Sequence, residues 1–502
     1  MSQTTPAPSL DHGAEHVEVD RQGAIQLVYS DPEKTADQQS NMKPERPVGD
    51  YSGAVAKTDP AEIALVKKLD RRIMPMLCAM YFLNYLDRTA ITSARLNNLE
   101  EDLNLTGSQY STCISLLFVG YILMQLPSNM LMASKHIRPS IYMGVCMALW
   151  GVISGLTAAT HNYIGLLLVR FFLGIAEAPF YPGALFLLSI FYTRKEISTR
   201  LALLYSANIL STAFSGLIAA ATFSSIDGAH GLAGWRWLFI IEGIVTVCIA
   251  LASTFILPDH PLTTSWLTEE ERQLAHARIA RDTVEQTTRK SSLDSLKAAF
   301  GDPRLYLLAM MQNFHLSANG FTNFFPTVVG TLGYSHTITL VMTCPPFILA
   351  AIVAPLYGLN SGRVNEKTWH ITGGMGVAMA GFIISACTLN TAARYFSCFL
   401  FASGVYAVNS CILGWVTATL GQTMEKKAIS LSFVNMVSNA SYIYTPYLYP
   451  KSDGPRYLIA MCAQSGFCAA CIICAWALRL WLMATNRKLK REGRDGGLAY
   501  AY

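Results

Sequence analysis

The chain has 502 residues, 52% of them hydrophobic and only 14% charged, where a typical soluble domain has about 25% charged residues; its mean hydropathy is +0.32. So large an apolar excess needs lipid to face, which excludes an ordinary soluble enzyme or binding domain. The net charge of +5 does not point to nucleic acid, because Lys and Arg are scattered through short loops and form no basic stripe.

Residues 1–70 are polar and rich in Pro, Asp, Glu and Gln, without a basic-then-apolar signal pattern; they are predicted to be a disordered cytosolic tail. Beyond them, apolar residues recur in blocks of about twenty, the length a helix needs to cross about 30 Å of hydrocarbon. Twelve spans are predicted, at 73–92, 110–133, 139–159, 163–191, 200–224, 236–257, 304–330, 338–360, 369–389, 394–418, 428–450 and 456–483. This is an all-α membrane protein of two six-helix halves, 71–257 and 304–485, joined by a cytosolic loop at 258–303 and followed by a cytosolic tail at 486–502. In the joining loop, Thr268 and Glu271 have capping-box spacing, which predicts a short surface helix.

All twelve cysteines fall inside the predicted spans, so neither a disulfide framework nor a zinc ribbon is indicated. Cys468, Cys471 and Cys474 have iron–sulfur-like spacing but no fourth ligand, and packing is the favoured reading. No metal or cofactor is expected.

Orientation follows from the short loops, since cytosolic loops accumulate Lys and Arg. Loops 2–3, 4–5, 8–9 and 10–11 carry nine: Lys135, Arg138, Arg194, Lys195, Arg200, Arg363, Lys367, Lys426 and Lys427. The opposite loops carry Arg95 and Lys451, with Arg236, Arg394 and Arg456 at span edges. Both termini are therefore predicted to be cytosolic. The sequon Asn104-Leu105-Thr106 then lies outside, a candidate for glycosylation.

An ionisable side chain at lipid depth costs several kcal/mol unless paired or hydrated, which makes each one a candidate for a substrate path or proton relay. Asp87 and Arg88 lie about 21 Å into the first span, counted from Ile73 at 1.5 Å per residue. Arg170 and Glu177, seven residues apart in the fourth span, share a helix face, and Arg170 is expected at a depth close to that of Arg88. Two guanidiniums offer planar forks to a carboxylate, and each carboxyl can hold a proton. The alternative is that Asp87–Arg88 and Arg170–Glu177 are structural ion pairs. Buried pairs of that kind are often neutral or unfavourable for stability, which leaves them poorly explained by stability alone. Asn84 adds a polar group beside the first pair. In the seventh span His315, Asn313, Asn319, Thr322 and Asn323 form a polar stripe, with His315 and Asn319 candidates for substrate contact; a lone His is more often a satisfied core residue. Glu242, near the outer end of the sixth span, reads as structural. Pro127, Pro179, Pro182, Pro326 and the pair Pro345-Pro346 interrupt spans, as is tolerated where a helix lines a cavity.

Several ordered blocks resemble a known family. Leu83-Asn84-Tyr85-Leu86-Asp87-Arg88-Thr89, the run from Arg170 to Gly183 and the run from Gly234 to Gly243 are similar to the anion:cation symporter family of the major facilitator superfamily, above all its fungal allantoate permease branch. Gly362–His370, Ala393–Phe396 and Tyr449–Tyr457 extend the likeness, which spans about residues 60–490. The resemblance implies a twelve-helix carrier working by alternating access on carboxylates, vitamins such as nicotinate or pantothenate, ureides or small peptides. It also implies proton coupling at Asp87 and Glu177 and anion binding at Arg88 and Arg170, as in relatives such as sialin and the vesicular glutamate transporters. Two blocks depart from the pattern. The loop Met132–Pro139 lacks the Gly and Asp of the superfamily's gating motif, and Val408-Asn409-Ser410-Cys411 stands where a Gly-Asn-Pro turn is common.

The expected function is proton-coupled symport of a small organic anion by a monomer in the cell membrane. The rival is export of a toxin or secondary metabolite by proton antiport, but the fifth span, at Ser206–Gly216, lacks the proline usual in drug antiporters. A nutrient sensor would carry a long signalling tail, and no nucleophile elbow, His-rich motif or phosphate loop suggests an enzyme. The loop charges generate a direct test of orientation: protease added to intact cells should spare a tag at either terminus, and external cleavage of a C-terminal tag would reverse the assignment.

Overall fold

The structure is a computed structural model that describes residues 16–19, 25–28, 59–132, 137–282, 292–364, 366–420 and 424–491. The chain divides into two units, Met1–Lys57 and Thr58–Tyr502. The first holds strands β1 (His16–Val19) and β2 (Ile25–Val28), paired antiparallel with His16 opposite Val28. Val17, Val19, Ile25 and Leu27 alternate with polar neighbours, the period of a strand, in a stretch expected to be featureless.

The second unit is helical. Its first half comprises α1 (Pro60–Ala94), α2 (Gln109–Met132), α3 (Pro139–Leu156), α4 (Tyr163–Glu177), α5 (Phe180–Phe191), α6 (Arg194–Ile226) and α7 (Gly234–Ile256). A connector carries α8 (Glu269–Asp282) and α9 (Ser292–Phe300). The second half comprises α10 (Pro303–Ala318), α11 (Phe325–Gly330), α12 (His336–Val364), α13 (Thr368–Cys387), α14 (Thr391–Thr419), α15 (Met424–Asn439) and α16 (Leu458–Arg491). Helices α4 and α5 form one rod bent at Pro179. Helices α10 and α11 are joined by a 3-10 segment, Asn319–Phe324, and α15 continues through the turns Ser441–Tyr444 and Thr445–Leu448. Among the described residues this makes twelve rods, six in each half. Eight of them are long and apolar enough to cross a membrane by length and composition alone.

Helix ends follow local chemistry. The Asp59 carboxylate accepts from the Ala61 amide at 2.9 Å, with Pro60 in the first turn; Asn162, Asp302 and Asn390 cap α4, α10 and α14 in the same way. Thr268 and Glu271 make the reciprocal box expected of them. The first rod starts at Pro60, thirteen residues before the predicted span. Lys67, Lys68, Arg71 and Arg72 lower the hydropathy there, yet Leu65, Val66 and Leu69 form a buried stripe at helical spacing. At the other terminus α16 likewise runs to Arg491, past the predicted boundary. Pro127, Pro345, Pro346 and Pro355 lie within continuous helices.

Helices approach closely where glycine replaces a side chain, the usual route to tight packing in lipid. Helices α2 and α4 cross at Gly120 and Gly174, α3 and α7 at Gly151 and Gly243, and α13 and α14 at Gly374 and Gly404. Between the halves, Gly216 of α6 lies against Leu340 and Thr343 of α12.

The two ends of the bundle differ. At the end where α1 begins, ion pairs tie the first half to the connector: Lys68–Glu271 at 2.6 Å, and Arg278 of α8 with Glu62 and Glu196. At the opposite end the halves are joined to each other. Ser111 Oγ donates to the Pro446 carbonyl at 3.0 Å and Ser115 Oγ to that of Ile443 at 2.7 Å. Glu100 holds Arg95 at 2.8 Å and also Lys451 of the second half, while the Arg95 guanidinium lies over the rings of Tyr110 and Phe324.

A Cβ added at Gly174 would sit 2.0 Å from the Leu117 carbonyl oxygen, a backbone atom that cannot rotate away. Gly174→Ala should therefore cost about 1–3 kcal/mol, read as a lower unfolding temperature of the purified protein in detergent. Gly376→Ala, with nothing within 4 Å, should leave that temperature unchanged or raise it.

Candidate functional site

A cavity of about 80 Å³ lies between the two halves. The first half lines it with Asn84, Tyr85, Arg88, Tyr121, Glu177 and Asn208, and the second with Gln312, Asn319, Tyr406, Asn409, Asn435 and Tyr442 among others. Among the described residues, Arg88 and Glu177 are the only charged ones in its wall; the rest is mainly tyrosine and asparagine. One water needs roughly 10–15 Å³ by such a measure, so the space takes a few waters, whereas organic ligands occupy pockets of roughly 300–1,000 Å³. The halves must part for such a ligand to enter.

Arg88 Nε donates to Glu177 Oε2 in a short, direct ion pair, with Glu177 fully buried. The guanidinium also lies over Tyr121 at 4.8 Å and Tyr85 at 5.2 Å, two aromatic faces that favour a desolvated cation. The second oxygen of Glu177 and the amide nitrogen of Asn84 lie beside each other without a well-formed hydrogen bond. The wall thus presents one cation, one carboxylate and an unsatisfied polar edge.

Of the four ionisable residues singled out in the sequence, Arg88 and Glu177 line the cavity, and Asp87 and Arg170 lie behind its wall. Arg88 meets Glu177, not Arg170, which lies two turns, about 10 Å, further along the same helix face. Arg170 is buried outside the cavity wall, its Nε and Nη1 without hydrogen-bond partners and Glu177, Tyr110, Cys113 and Arg88 its ionisable neighbours. Asp87 also lies outside the wall. Residues adjacent on a helix point about 100° apart, so Asp87 turns toward α3 and α7. There it accepts from Trp150 Nε1 at 3.0 Å, Ser154 Oγ at 3.2 Å and Thr246 Oγ1 at 3.1 Å.

In the second half, Asn319 lines the cavity and donates to Tyr442 at 2.9 Å. His315 does not line it: its ring is buried and Nε2 donates to the Val405 carbonyl at 2.9 Å. Sequence reasoning missed Gln312, Asn435, Asn439 and the tyrosines. Asn435 and Asn439, four residues apart in an apolar segment, were a legible signal; the tyrosines were not, because tyrosine is common in membrane helices. Gln312 donates to Asn409 at 2.9 Å, and Asn409, from the run that stands where a Gly-Asn-Pro turn is common, lines the cavity. Asn104 is exposed in the loop before α2, with a φ of 49°. No group of acidic, His or Cys residues suited to a metal occurs among the described residues.

Comparison with known proteins places these features. The family model described as Major Facilitator Superfamily matches residues 77–446. The major facilitator-type transporter hxnP of Emericella nidulans is 32% identical over 458 residues, covering 89% of this chain and 91% of that protein. The pantothenate transporter liz1 of Schizosaccharomyces pombe is 28% identical, covering 86% and 85%. Among solved structures, a bacterial homologue of the human lysosomal transporter Spinster, inward-facing and occupied, superposes with a TM-score of 0.63 at 16% identity, covering 84% of this chain and 96% of that one. The xylose transporter XylE of E. coli, partially occluded and inward open, gives 0.61 at 15% identity, covering 80% and 97%.

Removing one partner of a buried ion pair typically costs about 3–5 kcal/mol, because the other charge is stranded. Arg88→Met should accordingly lower the unfolding temperature in detergent, and Arg88→Met combined with Glu177→Gln should recover most of the loss. A double variant as unstable as the single one would show that the two residues do not stabilise each other.

Proposed function

The chain belongs to the major facilitator superfamily, and from that premise we propose that it is a proton-coupled symporter of a small organic anion, working by alternating access. The observation that carries this reading is the Arg88–Glu177 pair, the only charged residues among those described in the wall of the cavity between the halves. A substrate carboxylate can replace Glu177 on the planar fork of Arg88. Glu177, displaced into an apolar interior, must then find another cation or a proton. Arg170, on the same face of α4 and with two orphaned donors, is the cation it can turn to; protonation is the alternative that moves a proton with the substrate. Asn84 and Asn319 supply amides for the rest of the anion. The name of the liz1 relative supports a carboxylate, since pantothenate is one.

In this reading both termini and the connector face the cytosol, and the end closed by Glu100, Arg95 and Lys451 faces outward, where Asn104 is available for glycosylation. Opening toward the outside separates Glu100 from Lys451. Opening toward the cytosol parts the halves at the other end, where Arg278 and Lys68 keep the connector attached to the first half.

Glu177→Gln mimics the protonated carrier. In cells lacking their own permeases, supplied with labelled pantothenate and related carboxylates, the wild-type chain should concentrate its substrate by about tenfold for each pH unit of gradient per proton. The variant should exchange internal for external substrate yet fail to concentrate it. Accumulation by the variant under a pH gradient alone would remove Glu177 from the coupling role.

A further inference from the structure

A second cavity, of about 560 Å³, lies at the connector end of the bundle, where the turn from α9 to α10 meets Lys426 of α15 and the last turns of α16. Its wall includes Asp302, Arg304, Lys426, Trp481 and Thr485. Asp302 caps α10 through the Arg304 amide. Its carboxylate also accepts from the Arg304 guanidinium at 2.8 and 2.7 Å and from Lys426 Nζ at 2.7 Å. Among the described residues of the wall, two cations therefore share one carboxylate, and none of the three side chains is more than 15% exposed. That leaves a positive excess in partly desolvated surroundings, where its pull on an anion is stronger than at an open surface.

The surroundings of the cavity are those of a membrane boundary. Trp481 is exposed on α16, near the end of the apolar stretch Leu458–Lys488, and tryptophan favours the level where hydrocarbon gives way to water. Thr485 and the exposed Lys488 follow Trp481 on the same helix face, four and seven residues on. On the other side Leu296 and Phe300, one turn apart on α9, are exposed beside the wall residues Ala298 and Gly301, an apolar edge suited to lying in the lipid interface.

We propose that this cavity binds the phosphate-bearing headgroup of an anionic phospholipid. Arg304 presents its planar fork to the phosphate and Lys426 a point charge, each exchanging part of its contact with Asp302 for the new anion, while Trp481 and the apolar edge of α9 meet the lipid body. The volume lies within the range of small-molecule sites, roughly 300–1,000 Å³, and basic pockets beside membrane helices are known to hold such headgroups. A bound lipid would fasten the connector and the second half to the leaflet at that end, the cytosolic one in the orientation proposed above.

The test is binding of a fluorescent phosphatidylinositol phosphate to the purified full chain in neutral detergent, with phosphatidylcholine, soluble inositol phosphate and inorganic phosphate as separate arms. The anionic lipid should bind saturably and at least about tenfold more tightly than any other arm, the difference being the contacts of Trp481 and α9 or the net charge of the headgroup. Lys426→Gln should weaken it by about tenfold or more, the loss of one charge-assisted contact. Asp302→Asn keeps a good helix cap and removes the competing carboxylate, so it should tighten binding by about threefold or more. Thr485→Glu brings a negative charge to the wall without breaking either ion pair; it should weaken binding as Lys426→Gln does, and it serves where that variant does not assemble. Lipid binding that neither Lys426→Gln nor Thr485→Glu weakens, or that Asp302→Asn weakens, would overturn the proposal. Soluble inositol phosphate binding as tightly as the lipid would assign the cavity to a free phosphate compound and overturn the lipid assignment. No arm contains a transported substrate, so the symport reading stands or falls separately.

Discussion

A guanidinium held in the apolar middle of a helical bundle sets terms for everything around it. Arg88 is largely withdrawn from bulk water, and the cost of this is offset by the Glu177 carboxylate and by the faces of Tyr85 and Tyr121. Those partners come from three different helices, so α1, α2 and α4 must meet at one level. The same pair leaves Glu177 with an unsatisfied oxygen beside Asn84, and the polar cavity forms around that edge.

Glycine contacts make this meeting possible. With no Cβ at Gly120 and Gly174, α2 and α4 approach until backbone touches backbone, and the Arg88 side chain can lie between Tyr121 and Glu177. Similar contacts bind α3 to α7 and α13 to α14, so each half is stiff within itself. Irregular backbone lies elsewhere, in the 3-10 segment Asn319–Phe324 and in the turns after α15. Both segments border the cavity, through Asn319 and Tyr442. Rigid halves with irregular backbone at their shared wall suit a carrier that rocks about a central site.

The two ends of the bundle are held together differently. Where the halves touch, a single carboxylate, Glu100, serves Arg95 of its own half and Lys451 of the other. At the opposite end ion pairs of the first half run to the connector, and others stay within one half, such as Arg200–Asp70 and Arg479–Glu366. A charge-assisted bond between halves at one end and a bridging connector at the other make the two ends separable in different ways.

Hydropathy by itself located the twelve rods, because the bilayer sets the length of any helix that crosses it. It missed the first turns of α1, where solvent-facing Lys and Arg mask a buried stripe of Leu65, Val66 and Leu69. The expense of charge in lipid also made Asp87, Arg88, Arg170 and Glu177 visible from composition, and the spacing of Arg170 and Glu177 put them on one face. Which partner each would meet was not legible. It depends on how far α1 slides against α4 and on the 100° between Asp87 and Arg88; these belong to the packing of separate helices, and no local pattern encodes them. Tertiary structure alone decided that Arg88 faces Glu177, that Asp87 turns to Trp150 and Thr246, that His315 is spent on a backbone carbonyl, and that the cavity is small.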